Sequence, residues 1–212
     1  MSGRSKVLSV PYFVQPTGNT CQSTVLKMMS SYLEQSVVRA STGAADRDIL
    51  AIKKDINQDP KRPSQETNSH ANMKWWLEGH FPSLKFKYTQ TNKEDRAIDS
   101  IVQFIDSGFP VLVSVSHARV AGHIILVVGY ENYLPNMCST DFRLVAHDPN
   151  GRFDPFLTSK LFGPKRWEGG ASLVGGGEFG PGKGNRLYIT NVSRQRQGDS
   201  QRGMYYLLAG SR

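Results

Sequence analysis

The sequence is poor in the features that mark several protein classes. It has two cysteines in 212 residues, no glycine at every third position, and no apolar run longer than the stretch around Ile124 to Val128. These absences exclude a disulfide scaffold, a collagen-like fibre and a membrane-spanning helix, which needs roughly 18 apolar residues. Residues Met1 to Leu8 lack the apolar core of a signal peptide. We therefore expect synthesis in the cytoplasm, with any export by a route such as a secretion system or phage lysis.

The chain is basic, with 26 Lys and Arg against 18 Asp and Glu, a net charge of +8. Such a charge attracts polyanions, including anionic cell-wall polymers. No helix-turn-helix, zinc-finger or RNP motif accompanies the scattered basic residues, so no specific nucleic-acid partner is predicted. The five histidines lack metal-ligand spacing. The glycine-rich stretch from Gly177 to Lys183 is followed by Gly184 instead of the Ser or Thr of a phosphate loop. We expect neither a metal nor an organic cofactor.

Apolar periodicity predicts helices early in the chain and strands later, which is typical of an α+β domain. The length suits a single domain over residues 1–212. A glycine-rich loop over 164–184, with its densest part at 169–184, is predicted to be a flap or cleft wall. The predicted helices cover residues 19–33, 45–54, 72–79 and 92–107, and the predicted strands cover 7–14, 84–89, 111–116, 123–130, 142–147, 186–190 and 204–208.

Cys21 is the candidate nucleophile. Asn19 is a plausible N-cap, so Cys21 falls in the first turn of the first long helix. The positive end of the helix dipole favours the thiolate, which is the reactive form. Taken alone, a free cysteine is more often a small buried apolar residue. The catalytic interpretation therefore depends on partners elsewhere in the chain.

Three further residues supply those partners. His123 opens an apolar strand after Gly122 and is the candidate general base. Asp148 ends the next strand and is placed to orient the imidazole, although Asp before Pro-Asn-Gly is also an ordinary turn sequence. Gln15, six residues before Cys21, is a candidate oxyanion donor. His117 lies in a loop near the site without a predicted role, and His147 alternates with Asp148, which predicts a surface or supporting position.

Several segments together resemble the opening and centre of C39-like peptidases, a branch of the papain-like superfamily. The resemblance runs from Val7 to Phe153 and leaves the last third of the chain unmatched. It rests on the segments Val10–Gln15, Asn19–Cys21, Gly108–Val113, Gly122–Tyr130 and Leu144–Gly151.

The resemblance implies a papain-like fold, with N-terminal helices packed on a mostly antiparallel sheet. It also implies a Cys21–His123–Asp148 triad with Gln15 as oxyanion donor, and hence cleavage of amide bonds. Gln22 departs from the small residue that often follows the nucleophile in this family. An acyltransferase or transglutaminase-like enzyme, and a binding module without catalysis, remain alternatives on the same fold.

The substrate is expected to be a peptide or a peptidoglycan peptide. A basic domain without membrane segments suits a phage-type lytic enzyme, a delivered toxin or an effector protease. A toxin of this kind would have an immunity or inhibitor protein as a partner.

Overall fold

The computed structural model of the chain describes residues 3–17, 19–67, 69–91, 93–115, 123–134, 142–149, 167–168, 186–189 and 205–212. Within these ranges, the description of residues 94, 115, 123, 143, 167, 168, 186–189 and 205 is limited to the backbone. Cys138, His117 and the loop at 169–184 lie outside the described residues. That all 212 residues form one domain stays a prediction.

The helices follow the apolar periodicity of the sequence. Fully buried residues of the first helix recur at helical spacing, among them Val25, Met28 and Met29. The fourth helix buries Ala97 and Ile105 along one face in the same way. The helices are α1 (Cys21–Tyr32), which continues as a π-helical segment over Leu33–Val38, α2 (Ile49–Gln58), α3 (His70–His80) and α4 (Glu94–Asp106).

The first two helices begin later than predicted. Thr20 instead of Asn19 precedes the first residue of α1, because the Asn19 side chain accepts hydrogen bonds from Thr17 Oγ1 (3.0 Å) and Lys53 Nζ (2.8 Å). The second helix begins at Ile49 and not near residue 45. Asp48 caps it, with Oδ1 accepting from the Ala51 backbone N–H at 2.7 Å.

All strand pairs within the described ranges are antiparallel, and together with the helices they confirm the predicted α+β class. The order across the sheet is β2-β8-β3-β4-β5-β7-β6, and β1 pairs with the second half of β4. The strands are β1 (Arg4–Val7), β2 (Lys85–Thr91), β3 (Val111–Val115), β4 (His123–Tyr133), β5 (Arg143–His147), β6 (Trp167–Glu168), β7 (Arg186–Ile189) and β8 (Tyr205–Ser211).

The predicted first strand and the predicted loop at 164–184 differ from the structure. The first strand ends at Val7 instead of starting there, because from Leu8 onward the chain leaves the sheet edge and runs toward β5. The Leu8 backbone N–H donates to the Val128 carbonyl at 2.8 Å at the point where it leaves. The predicted loop at 164–184 contains the short strand β6, which pairs with β7.

The core lies between the sheet and the helices. Helix α1 packs against α2 and β4, and Tyr32 near its end donates to the Gly108 carbonyl at 3.1 Å. The C-terminal end of α1 is thereby tied to the segment that precedes β3. In the part of the chain that the structure describes, no helix is long and apolar enough to cross a membrane.

Candidate active site

The start of α1 is tied to the turn before it by threonine hydroxyls. Thr20 is fully buried, and its Oγ1 donates to the Thr17 carbonyl at 2.8 Å. Its own carbonyl accepts from the hydroxyls of Ser23 and Thr24 at 3.1 and 2.7 Å. These bonds fix the backbone on both sides of Cys21. The candidate nucleophile thus sits at the first residue of a helix whose beginning is held in place.

Cys21 is nearly buried, with 7% of its surface exposed. Its Sγ donates a hydrogen bond to Gln22 Oε1 at 3.2 Å. A thiol has one hydrogen to donate, and this bond directs it toward the neighbouring amide. Gln22, the departure from the family pattern, therefore contacts the sulfur directly.

The segment before α1 is joined to the turn after β5 by two hydrogen bonds. The Tyr12 hydroxyl donates to the Asp148 backbone carbonyl at 2.7 Å, and the Gln15 backbone N–H donates to the Pro149 carbonyl at 2.8 Å. Tyr12 is fully buried and Asp148 is 4% exposed. The structure thus brings two of the predicted site residues, Gln15 and Asp148, into neighbouring segments close to the start of α1.

His147 is buried, with 1% exposure, which contradicts a surface position. Its Nε2 lies 3.1 Å from the Val10 carbonyl, and its ring centroid lies 5.2 Å from that of Tyr12. The chain segment before α1 covers His147. Its place is therefore structural, beneath that segment.

Tyr12 is the residue at this site that the sequence did not predict. Its sole signal is its position three residues before Gln15 in an extended run. A tyrosine hydroxyl that bonds to a backbone carbonyl far along the chain leaves no periodic pattern. Such a contact becomes visible once the fold brings residues 12 and 148 together.

The backbone at the start of β4 lies beside the end of β5. His123 pairs with Val115 of β3, and Leu126 pairs with His147 of β5. Because the two strands run antiparallel, the chain that leaves β5 at Asp148 passes the first residues of β4. The side chain of His123 lies outside the described residues. Its approach to Cys21 and Asp148 therefore stays a prediction.

No metal centre is formed by the described ranges, in which no group of three or more His, Cys, Asp or Glu side chains could hold an ion. The chemistry that the described residues do offer is that of a thiol at a helix start and a buried carboxylate near the beginning of a central strand. Gln15 lies in the segment before α1, and its backbone N–H is bonded to the turn after β5.

Comparisons with known proteins identify a family and a similar fold. The sequence profile of the Peptidase_C39 like family matches residues 7–161. Among solved structures, the crystal structure of UfSP from C. elegans is similar, with a TM-score of 0.53 and 12% sequence identity. The likeness covers 100% of this chain and 35% of that one, so this chain spans about a third of its length. At this identity the likeness concerns the fold alone. No curated protein matches the sequence.

Proposed function

The chain belongs to the Peptidase_C39 like family of papain-like cysteine peptidases, and we propose that it hydrolyses peptide amide bonds with Cys21 as the nucleophile. In this proposal His123 is the general base, Asp148 orients its imidazole and Gln15 donates to the oxyanion. All four positions fall within the matched residues 7–161. The resemblance to C39-like peptidases predicted from the sequence is confirmed, whereas the roles of these four residues are our proposal.

The proposed reaction has two stages. His123 takes the proton of the Cys21 thiol, and the thiolate attacks the carbonyl carbon of the substrate amide. The Gln15 side-chain amide and the Cys21 backbone N–H stabilise the oxyanion, the C–N bond breaks, and the imidazolium returns its proton to the leaving amine. In the second stage His123 accepts a proton from water as the oxygen attacks the thioester carbonyl carbon. The C–S bond then breaks, the acid product leaves, and the imidazolium returns its proton to the Cys21 thiolate. No external oxidant, reductant or metal takes part in these steps.

One observation carries the proposal: the pair of hydrogen bonds from Tyr12 to Asp148 and from Gln15 to Pro149. These contacts join parts of the chain more than 130 residues apart. They bring the segments that carry Gln15 and Asp148 together near the helix that begins at Cys21. The proposed roles of the two residues require this proximity.

We propose thiol reactivity as the first test of the nucleophile. Wild type and the His123→Ala variant are treated with iodoacetamide at pH 6, and labelled sites are found by peptide mass spectrometry. We expect selective labelling of Cys21 that falls by about tenfold or more in the variant, because the base no longer assists. Cys138 is the internal control in both samples. Equal, slow labelling of both cysteines would contradict the proposal and favour a binding module.

A substitution at Gln22 provides a second test in the same labelling assay. The amide oxygen of Gln22 accepts a hydrogen bond from the Cys21 thiol at 3.2 Å, so removing the amide removes this contact of the sulfur. We expect Gln22→Ala to label about two- to tenfold faster than wild type, the effect of one hydrogen bond. Product analysis with and without an added amine then separates hydrolysis from the acyl transfer of a transglutaminase-like enzyme.

For the substrate we propose a peptide, either in peptidoglycan or in a protein cleaved by a delivered toxin or effector. The net charge of +8 supports approach to an anionic cell-wall polymer. A toxin of this kind calls for an immunity or inhibitor protein in the producing cell. Parallel assays with purified peptidoglycan and with a denatured protein mixture decide between the two, since each releases new amino termini from one substrate.

A further inference from the structure

Two adjoining grooves lie along α2, beside the turn that precedes Cys21. The first has a volume of about 490 Å³ and is lined in part by Asn19 and Lys53. The second has a volume of about 620 Å³ and reaches Pro16. Leu50 and Lys54 line both, so the two form one continuous surface, here called the α2 groove. Volumes of ~300–1,000 Å³ are usual for ligand sites.

The α2 groove offers an apolar contact at its centre. Leu50, the second residue of α2, is 54% exposed. The other large apolar side chains with high exposure in the described ranges are Val7 at 37% and Val14 at 43%. A single exposed leucine is ordinary on a protein surface. This one lines both grooves, which also reach Pro16 and Asn19 of the segment before Cys21.

The α2 groove is also positively charged near the candidate nucleophile. Lys53 Nζ donates to Asn19 Oδ1 at 2.8 Å, which holds its ammonium over the residue two positions before Cys21. Neither Lys53 nor Lys54 forms a salt bridge with any carboxylate of the described segments. The acid of the groove, Asp48, caps the helix through Ala51. The charge that faces a ligand at the Asn19 end is therefore that of two lysines.

We propose that the α2 groove binds the peptide substrate next to the scissile bond and selects a segment in which a large apolar residue adjoins Asp or Glu. The apolar side chain packs on Leu50, and the carboxylate lies between Lys53 and Lys54. This inference rests on the proposed hydrolysis at Cys21 and names its substrate class. Stem peptides of peptidoglycan carry carboxylates but no large apolar side chain, so the groove assigns the activity to protein substrates.

Binding tests the inference without catalysis. In a Cys21→Ala background, fluorescence anisotropy compares two labelled peptides that differ in one Leu-Glu or Ser-Gln pair. We expect the Leu-Glu peptide to bind about tenfold more tightly. The further change Lys53→Glu/Lys54→Glu should weaken its binding by about tenfold, and less at high salt. Equal affinity of the two peptides would overturn the inference.

A matched control separates the groove from net charge. Lys85 and Lys87 are exposed on β2 and do not line the groove. Lys85→Glu/Lys87→Glu therefore changes the net charge by the same amount and should leave binding unchanged. Leu50→Ser spares the Lys53–Asn19 bond and should remove about fivefold of the preference for Leu. Equal losses in both double variants would show attraction to the whole protein and overturn the inference.

The cleavage assay keeps the two proposals apart. With wild type and the same peptides, cleavage of the Leu-Glu peptide that falls in the groove variants supports both. Groove-dependent binding without cleavage overturns the proposed hydrolysis and leaves the docking surface standing. Cleavage of both peptides at equal rates, unchanged in the groove variants, overturns the docking surface and leaves the hydrolysis standing.

Discussion

Acidification should destabilise the fold through His70. This partly buried residue begins α3, and its Nε2 lies 2.6 Å from Ser114 Oγ on β3. Its ring stacks on Tyr88 and Tyr206, with centroid distances of 5.1 and 5.7 Å. Burial lowers the pKa of His70 from 6.5 to about 4, because the imidazolium would lose its hydration among these rings. No carboxylate among its described contacts offsets that cost.

The direction of the pH effect on stability follows from the number of protons that the folded and unfolded states bind. In the unfolded chain His70 takes up a proton as the pH falls through 6.5, whereas in the folded protein it stays neutral until about pH 4. Between these values the unfolded state binds more protons, so stability falls as the pH is lowered. The gap between 6.5 and about 4 corresponds to about 3 kcal/mol. That is a large part of the ~5–15 kcal/mol that stabilises an ordinary domain.

The assay is urea unfolding at pH 7 and pH 4, with wild type and His70→Gln. The glutamine keeps a polar partner for Ser114 and does not titrate. We expect wild type to lose about 3 kcal/mol more than the variant between the two pH values. All other titrating groups are common to both proteins and cancel in the difference. Equal losses of unfolding free energy in wild type and variant would refute the reasoning. They would mean that His70 binds its proton as readily in the folded protein as in the unfolded chain.

Two pairs of substitutions, each a test and its matched control, probe the site and the sheet. Tyr12→Phe removes the hydrogen bond to Asp148 and should cost about 1 kcal/mol in urea unfolding, with a larger loss of kcat/KM. Tyr32→Phe, which loses a comparable bond at the far end of α1, should cost a similar free energy and leave kcat/KM unchanged. Gly129→Ala places a Cβ 2.6 Å from a β1 carbonyl and should cost about 1–3 kcal/mol. Gly79→Ala, in open space in α3, should raise the melting temperature. Equal effects of the two alanine substitutions would contradict the predicted clash at Gly129.

Local periodicity explains why most elements were predictable. The stripe that includes Ala97 and Ile105 has the 3.6-residue repeat of a helix that buries one face, and α4 follows it. The apolar runs from Val111 and from His123 are continuous because both faces of these central strands are buried. In each case the information lies within a dozen neighbouring residues.

Long-range pairing explains most of what was not predictable. Strand β8, at the end of the described chain, inserts between β2 and β3, with Leu208 paired to both Tyr88 and Leu112. An alternating run of residues shows that a strand forms but does not show which strand it will join. The predicted start of α2 was wrong for a local reason. Asp46 and Asp48 are both of a residue type that caps helices, and in the structure it is Asp48 that accepts the hydrogen bond from the Ala51 backbone N–H.

The contacts that hold the candidate site together use backbone groups of the β5 turn. Tyr12 bonds to the carbonyl of Asp148, and Gln15 bonds to the carbonyl of Pro149 through its own backbone N–H. The carboxylate of Asp148 and the side-chain amide of Gln15 take no part in these two bonds. The contacts that position the two segments therefore use a tyrosine hydroxyl and backbone atoms, whereas the proposed chemistry would use the side chains of Gln15 and Asp148.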